Sequence, residues 1–236
     1  RNLDDLYPLL EHYPVELTDD DPELVISYGG DGALLGAERE YPGTPICPIR
    51  DSRSNPKCPR HGEESVLKSL FADELSTTSL MKVKAEKDGQ TLVGLNDVVV
   101  NRLIIASALR YRIWLDDELY AHQIVGDGLV VATPFGSTAY YRSITHSLFR
   151  GGLGLAFNNS TEPLDHLVID EGSVISAEIL RGPAVLLADN DPREISLEKG
   201  DVVAIKKARE NAVIRGLDIF RCPECYWLRH HQGNSG

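Results

Sequence analysis

Residues 24–32 read Leu24-Val25-Ile26-Ser27-Tyr28-Gly29-Gly30-Asp31-Gly32. A mostly apolar run ends in three glycines around one carboxylate, and a helix-like segment, Ala33 to Glu40, follows. Strand, tight turn and helix start form the opening unit of an α/β sheet. Glycines at a strand end let backbone amides approach a phosphate, because no Cβ stands in the way. A carboxylate repels phosphate, so Asp31 suits a different task there: taking a proton from an attacking hydroxyl, or holding Mg²⁺. Capping the following helix is the plainer role for the same side chain. Most glycine-rich turns do no more than satisfy left-handed backbone angles.

Upstream, Leu3 to Tyr13 reads as a short amphipathic helix, with Leu3, Leu6, Leu9 and Leu10 on one face and Pro14 ending it. Val15 to Leu17 is expected as a short edge strand. Downstream come a strand over Pro45–Ile49, a basic loop over 50–62 and a helix from about Glu63 to Leu75. Strand alternating with helix argues a parallel sheet.

From about Thr78 the pattern changes to successive strands. Val83–Glu86 and Leu92–Val100 flank the turn Lys87-Asp88-Gly89; Tyr111–Leu115 and Leu119–Val125 flank Asp116-Asp117 as a hairpin. A helix is expected over Ser137–Ser147. Strands follow at Leu153–Phe157, Leu167–Ile169, Val174–Ile179, Ala184–Ala188 and Val202–Lys206. This half reads as an antiparallel β domain.

The chain has 236 residues, 42% of them hydrophobic, enough for a proper core. Its net charge of −12 argues against nucleic acid and anionic membrane as general partners, since both need a broad cationic surface. A local cationic patch is still present: Arg50, Arg53, Lys57 and Arg60 crowd one loop, where Arg50 and Arg53 are candidates to meet an anionic nucleotide. No apolar run is long enough to span a bilayer, and the start, Arg1-Asn2-Leu3-Asp4-Asp5, carries no signal-peptide pattern, so a cytoplasmic location is expected. The chain begins without Met.

Four cysteines do not make a secreted disulfide scaffold at this length. Cys58-Pro59-Arg60-His61 and Cys222-Pro223-Glu224-Cys225 are both ligand pairs separated by two residues, each opening on a Cys-Pro turn. Together they offer a Cys₃His tetrahedron for structural Zn²⁺. A redox pair, or free thiols beside an ordinary loop histidine, is the other account. Cys47, inside an apolar strand, reads as core.

Two further stretches matter: Asn96-Asp97, within the apolar run 92–100, and Gly126-Asp127-Gly128-Leu129-Val130-Val131-Ala132-Thr133-Pro134-Phe135-Gly136-Ser137-Thr138-Ala139-Tyr140. With the Gly-Gly-Asp-Gly turn, and in this order, they resemble the NAD kinase family, within the diacylglycerol-kinase-like superfamily, in a short, archaeal-type form. The resemblance runs from about Leu24 to about Arg215. It implies a small Rossmann-like α/β domain over 1–77 with 216–236, and an antiparallel β-rich substrate domain over 78–215. The C-terminal tail returns to the first domain. It also implies one more strand before the first helix than the 28 residues ahead of Gly29 supply.

The resemblance implies a kinase using ATP and Mg²⁺ on the 2′-hydroxyl of NAD, and a dimer or tetramer. Asp31 becomes the general base, and Gly29, Gly30 and Gly32 the phosphate cradle. Asn96 and Asp97 contact the dinucleotide; Asp127 helps place it; Thr138, Ala139, Tyr140 and Ser143 line the adenine and ribose pocket. Asp189 resembles a late Asp-Gly turn in which Asn190 takes the place of the glycine. Plainer roles stay open: a polar pair at a bulge for Asn96-Asp97, an N-cap for Ser137-Thr138, core for Tyr140.

The acceptor end departs from the family pattern. Asp97 stands where the family has Glu, Arg50-Asp51-Ser52-Arg53-Ser54-Asn55 replaces a glycine-rich loop, Val125 stands where some members have arginine, and Thr145-His146 replaces a small, glycine-rich pair. A same-fold kinase acting on a sugar, polyol or nucleoside is therefore an alternative, as is a non-catalytic nucleotide-binding module.

Overall fold

The computed structural model describes residues 3–51, 58–162 and 164–231. Two compact units divide the chain: Arg1–Ser79 with Ala212–Gly236, and Leu80–Asn211. In chain order the first stretch carries α1 (Tyr7–Leu10), β1 (Val25–Tyr28), α2 (Asp31–Glu40), β2 (Ile46–Ile49), α3 (Glu63–Phe71) and β3 (Thr77–Leu80). The second unit begins with β4 (Val83–Lys87), β5 (Gln90–Gly94), β6 (Asp97–Arg102), β7 (Leu109–Leu115), β8 (Glu118–Gly126) and β9 (Gly128–Ala132). It continues with α4 (Tyr140–Thr145), β10 (Leu153–Asn158), β11 (Leu167–Ile169), β12 (Ile175–Arg181), β13 (Ala184–Ala188), β14 (Ile195–Leu197) and β15 (Val202–Lys207). The chain then re-enters the first unit through β16 (Ala212–Arg215), α5 (Leu217–Phe220) and α6 (Pro223–His231).

The first unit is built on one sheet of order β1-β2-β16-β3. β1 and β16 both run parallel to β2, with Tyr28 opposite Ile49 and Ile214 opposite Ile46. A parallel pair needs a crossover, which α2 provides. All four β2 residues are buried, because helices cover the sheet. Val66, Leu67 and Leu70 of α3 pack with Tyr28, Cys47, Ile49 and the α1 residues Leu6 and Leu10. Cys47 is core, and burial pushes its thiol up to about 12.

Three expectations for this unit are corrected. The helix over Leu3–Tyr13 shrinks to the four residues of α1, since only Leu6 and Leu10 are buried and so narrow a face cannot drive a longer helix. Residues 15–17 form no strand; Val15 and Leu17 are exposed. α3 also stops at Phe71, before Leu75, because Asp73 turns left-handed (φ 56).

The second unit is a pair of six-stranded antiparallel sheets, of orders β11-β10-β9-β6-β13-β14 and β5-β4-β15-β12-β7-β8. They share one apolar core: Val83, Ala85, Tyr111, Ile113, Ile175 and Ile205 from one sheet meet Val98, Leu129, Val131, Leu155 and Leu186 from the other. Strand β12 alternates buried and partly buried residues, as a strand covered on one face does. β9 is buried at every position because α4 covers its second face, where Tyr141 packs with Ala132 and Ala156. The Asp116-Asp117 hairpin forms as expected, with both aspartates left-handed (φ 50 and 67).

Here too the chain departs from its sequence pattern. The apolar run 92–100 is two strands, β5 and β6, in different sheets, with Leu95-Asn96 between them. The helix expected over Ser137–Ser147 is a short 3₁₀ turn, Gly136–Thr138, then a break at Ala139 (φ −98, ψ −126), then α4. Thr138 therefore does not share a continuous helical face with Tyr141 and Thr145.

Candidate active site

In the first unit the site begins at the β1–α2 turn. Gly29 sits at φ 144, and its amide donates to the Ile49 carbonyl at 2.8 Å, tying the turn to the end of β2. Gly30 is the N-cap of α2, and Asp31 is the first helical residue, so Asp31 is not the cap. Its carboxylate is 47% exposed and faces two guanidinium groups: Arg50 Nη2 at 3.3 Å and Arg221 Nη2 at 3.5 Å, both from Asp31 Oδ1. Gly32 follows in the first turn of α2.

Arg50, read from sequence as part of a local cationic patch, is 8% exposed and built into the unit. Its Nε donates to the Phe220 carbonyl at 3.0 Å, and its guanidinium lies 3.9 Å over the Phe220 ring. It reaches Asp31 from the strand end while anchored on α5. Arg53 lies outside the described residues. Arg221 was not singled out from sequence; its one signal is its place immediately before Cys222.

The same unit gathers Cys58, His61, Cys222 and Cys225, whose ligand atoms all lie within 4.8 Å of one another. Cys58 Sγ is 3.2 Å from His61 Nδ1 and 3.4 Å from Cys225 Sγ, and all three thiols are free.

In the second unit the Leu95-Asn96 turn is clamped from two directions. Asp189, at the end of β13, accepts from the amides of Leu95 (2.6 Å), Asn96 (2.8 Å) and Asp97 (3.0 Å). The left-handed residue of that β13 turn is Asp189 itself (φ 46), and Asn190, in the place of the glycine, does not take a positive φ. From the other side, the buried Thr133 hydroxyl donates to the Leu95 carbonyl at 2.6 Å and accepts from the Gly136 amide at 3.1 Å. Gly136 is packed so tightly on the Asn96 backbone that a Cβ there would overlap it. The Asn96 side-chain oxygen is buried and lacks a hydrogen-bond partner among the described residues. A ligand amine or hydroxyl is what such an oxygen needs.

Asp97 is 6% exposed; burial, then the charge of Asp189, pushes its carboxyl up to about 7. Asp127 is paired with Arg102 Nε at 2.8 Å and accepts from the Asn159 side-chain amide at 2.7 Å. Thr138, Ala139, Tyr140 and Ser143 are all exposed around the helix break. The Tyr140 hydroxyl accepts from the Asn158 amide at 2.8 Å; burial and then the charges of Asp127 and Asp97 raise its pKa. Core packing falls to Tyr141, which is fully buried, and not to Tyr140.

Residues 95–215, from the clamped turn to the end of β16, match the family described as the ATP-NAD kinase C-terminal domain. That is just over half of the chain. The chain belongs to the NAD kinase family. An NAD kinase from Koribacter versatilis is 30% identical over 201 residues, covering 79% of this chain and 70% of that protein. One from Clostridium perfringens is 28% identical over 201 residues, covering 80% and 72%. Among solved structures, an NAD kinase from Archaeoglobus fulgidus in complex with ATP has a TM-score of 0.74 at 18% identity, covering 93% of this chain and 91% of that one. The yeast NADH kinase complexed with NADH gives the same TM-score and identity over 92% and 69%. These two likenesses establish the fold: a small α/β part with an antiparallel β-rich part, as in the NAD kinases.

Proposed function

We propose that this NAD kinase family member transfers the γ-phosphoryl group of ATP to the 2′-hydroxyl of the adenosine ribose of NAD, giving NADP and ADP. Asp31 accepts the hydroxyl proton as the ribose oxygen forms its bond to the γ-phosphorus. The bond from that phosphorus to the β,γ-bridging oxygen breaks, and its electron pair leaves with ADP. Asp31 then passes its proton to water. The observation that carries the reading is the place of Asp31: half-exposed, first in α2, beyond a glycine turn, and aimed by Arg50 and Arg221. A carboxylate held this way is oriented before substrate arrives.

The second unit supports recognition of the dinucleotide. The unpartnered Asn96 oxygen, the Asp97 carboxyl and the exposed Thr138-Ala139-Tyr140 edge with Ser143 are the groups we assign to it. Asp127 and Asp189 are already engaged, and we assign them to shaping that surface.

Mg²⁺ offsets the charge of the transferred phosphoryl group. A carboxylate oxygen already facing two guanidinium groups is a poor cation ligand, so we assign Mg²⁺ to the triphosphate and Asp31 to the proton. Three thiols and an imidazole are the donor set of a structural Zn²⁺, which we assign to Cys58, His61, Cys222 and Cys225. Reduced thiols 3.4 Å apart fit a cytoplasmic protein. We assign the chain to a homodimer or tetramer, which light scattering checks.

The test is product analysis. With ATP, Mg²⁺ and a panel of NAD, NADH, sugars, polyols and nucleosides, NADP is the expected product. Phosphate appearing only on a sugar, polyol or nucleoside overturns the acceptor, and no transfer to any of them leaves a nucleotide-binding module.

A further inference from the structure

Both cations that face Asp31 depend on one short segment. Arg50 is anchored on the carbonyl and ring of Phe220, and Arg221 is the next residue. Phe220 is buried and Ile219 packs on the main core of the unit, but Cys222 and Cys225 lie in a separate small cluster. α5 has four residues, too few to be stable alone. The apolar cluster at this point consists of Cys58, Cys222 and Cys225 with Leu228 partly buried against it. The Arg60–Glu224 ion pair across it is exposed on both sides, 77% and 62%, where such pairs contribute little.

The donor atoms at this point are arranged as a metal would arrange them. Cys58 Sγ, His61 Nδ1 and Cys225 Sγ are 3.2–3.4 Å apart, and Cys222 completes the set within 4.8 Å. A tetrahedral Zn²⁺ with Zn–S of about 2.3 Å and Zn–N of about 2.0 Å sets its ligands roughly 3.5–3.8 Å apart. A disulfide needs about 2.05 Å. The Cys58 amide also points at Cys225 Sγ, 3.4 Å away, a hydrogen bond of the kind that supports a metal-bound thiolate. The centre joins residues 58–61 to 222–225, and its ligand Cys222 adjoins Arg221.

Resting on the kinase reading above, we propose that Zn²⁺ at Cys58, His61, Cys222 and Cys225 is a positioning centre: it pins residues 220–222 so that Arg221, and through Phe220 also Arg50, aim the Asp31 carboxylate. Arg221 is the positioning residue, and no metal ligand touches substrate. Metal loss therefore lowers turnover while leaving dinucleotide binding, a task of the other unit, in place.

The full chain, purified without a histidine tag, tests this in two independent arms. In the first, elemental analysis is expected to give about one equivalent of zinc per chain. Replacement by Co²⁺ should give the visible bands of a tetrahedral thiolate site, and Cys225→Ser should lose both. No zinc, or a Cys58–Cys225 disulfide in freshly purified protein, overturns the metal centre; if Cys225→Ser does not fold, the cobalt spectrum of the wild type decides. In the second, chelator-stripped protein is expected to lose roughly 10–100-fold in kcat with KM for NAD within about twofold, and added Zn²⁺ should restore it. Arg221→Ala should show the same split while keeping its zinc, with partial rescue by Arg221→Lys. An unchanged kcat on zinc removal or in Arg221→Ala overturns the positioning role. Should the zinc-loaded wild type make no NADP, the kinase reading fails and not the metal centre. Hydrogen exchange of residues 217–228 with and without Zn²⁺ then reads the pinning directly, and equal protection overturns it.

Discussion

The carboxylate of Asp189 holds the amide of Asn96 at 2.8 Å, and with it the amides of the residues on either side. One side chain from the end of β13 thereby replaces the strand pairing that the chain gives up between β5 and β6. Three backbone donors that a continuous strand would have satisfied within a sheet are satisfied by a single anion. This is the point at which the chain passes from one sheet of the sandwich to the other, and there the buried Asn96 side-chain oxygen lacks a hydrogen-bond partner among the described residues.

Replacing Asp189 tests that clamp. Asp189→Ala strips three amides of their acceptor, and leaving buried donors unmet costs about 1–3 kcal/mol each. Allowing for water reaching part of the turn, we expect about 3 kcal/mol of lost stability in urea unfolding, with a raised KM for NAD. A loss below 1 kcal/mol would show that the turn holds without the carboxylate.

Gly136→Ala attacks the same turn from the other side. The added methyl meets the Asn96 backbone, which cannot move without breaking its bonds to Asp189 and Thr133. Overpacking against backbone costs about 1–3 kcal/mol or more. Crystals or chemical-shift mapping should locate the change at residues 95–97 and 133–136, and an unperturbed turn would contradict the packing.

Asp97 makes stability depend on pH in an unusual direction. Its folded carboxyl titrates near 7, raised from 3.8 chiefly by burial and then by Asp189. Between these values the folded state holds a proton that the unfolded state has released, so stability falls as pH rises through this window, by up to about 1.4 kcal/mol per pH unit. Below the unfolded value the effect is absent; above the folded value it is complete. Asp97→Asn mimics the protonated form. Wild type minus variant stability, from urea unfolding at pH 5 and pH 8, should therefore be smaller at pH 8. A flat difference would mean that Asp97 titrates normally.

Asp31→Asn keeps the shape of the side chain and removes its basicity. Turnover is expected to fall about 10²–10⁴-fold, with dinucleotide affinity nearly unchanged in calorimetry. Retained turnover would remove Asp31 from the proton transfer and leave it as a helix-terminus charge.

Much of the candidate site was legible because its signals are local. The order of Gly29-Gly30-Asp31, Asn96-Asp97 and the 126–140 block pointed to the family, and the two Cys-Pro motifs pointed to one cluster. Arg221 was not legible. It meets Asp31 from 190 positions away, and nothing in its neighbourhood distinguishes it from any surface arginine except the cysteine beside it. The setting of Arg50 was not legible either, because a basic loop looks the same whether or not an aromatic ring lies against its first residue.

By itself the amino-acid order determined those elements whose cause lies within a few residues. A strand that must stop at Gly29, a hairpin bent by two left-handed aspartates and a helix that starts at Asp31 within the glycine turn all depend on neighbouring backbone angles. Only the tertiary structure decided the break at Leu95-Asn96, the interruption at Ala139 and the short strands β14 and β16. Apolar residues dominate 92–100 on both sides of the turn, so hydrophobicity alone does not place it. The turn exists because an acceptor on β13, distant in the chain, captures three amides. β14 and β16 carry too little pattern to announce themselves, and form because β13 and β2 present an edge to them.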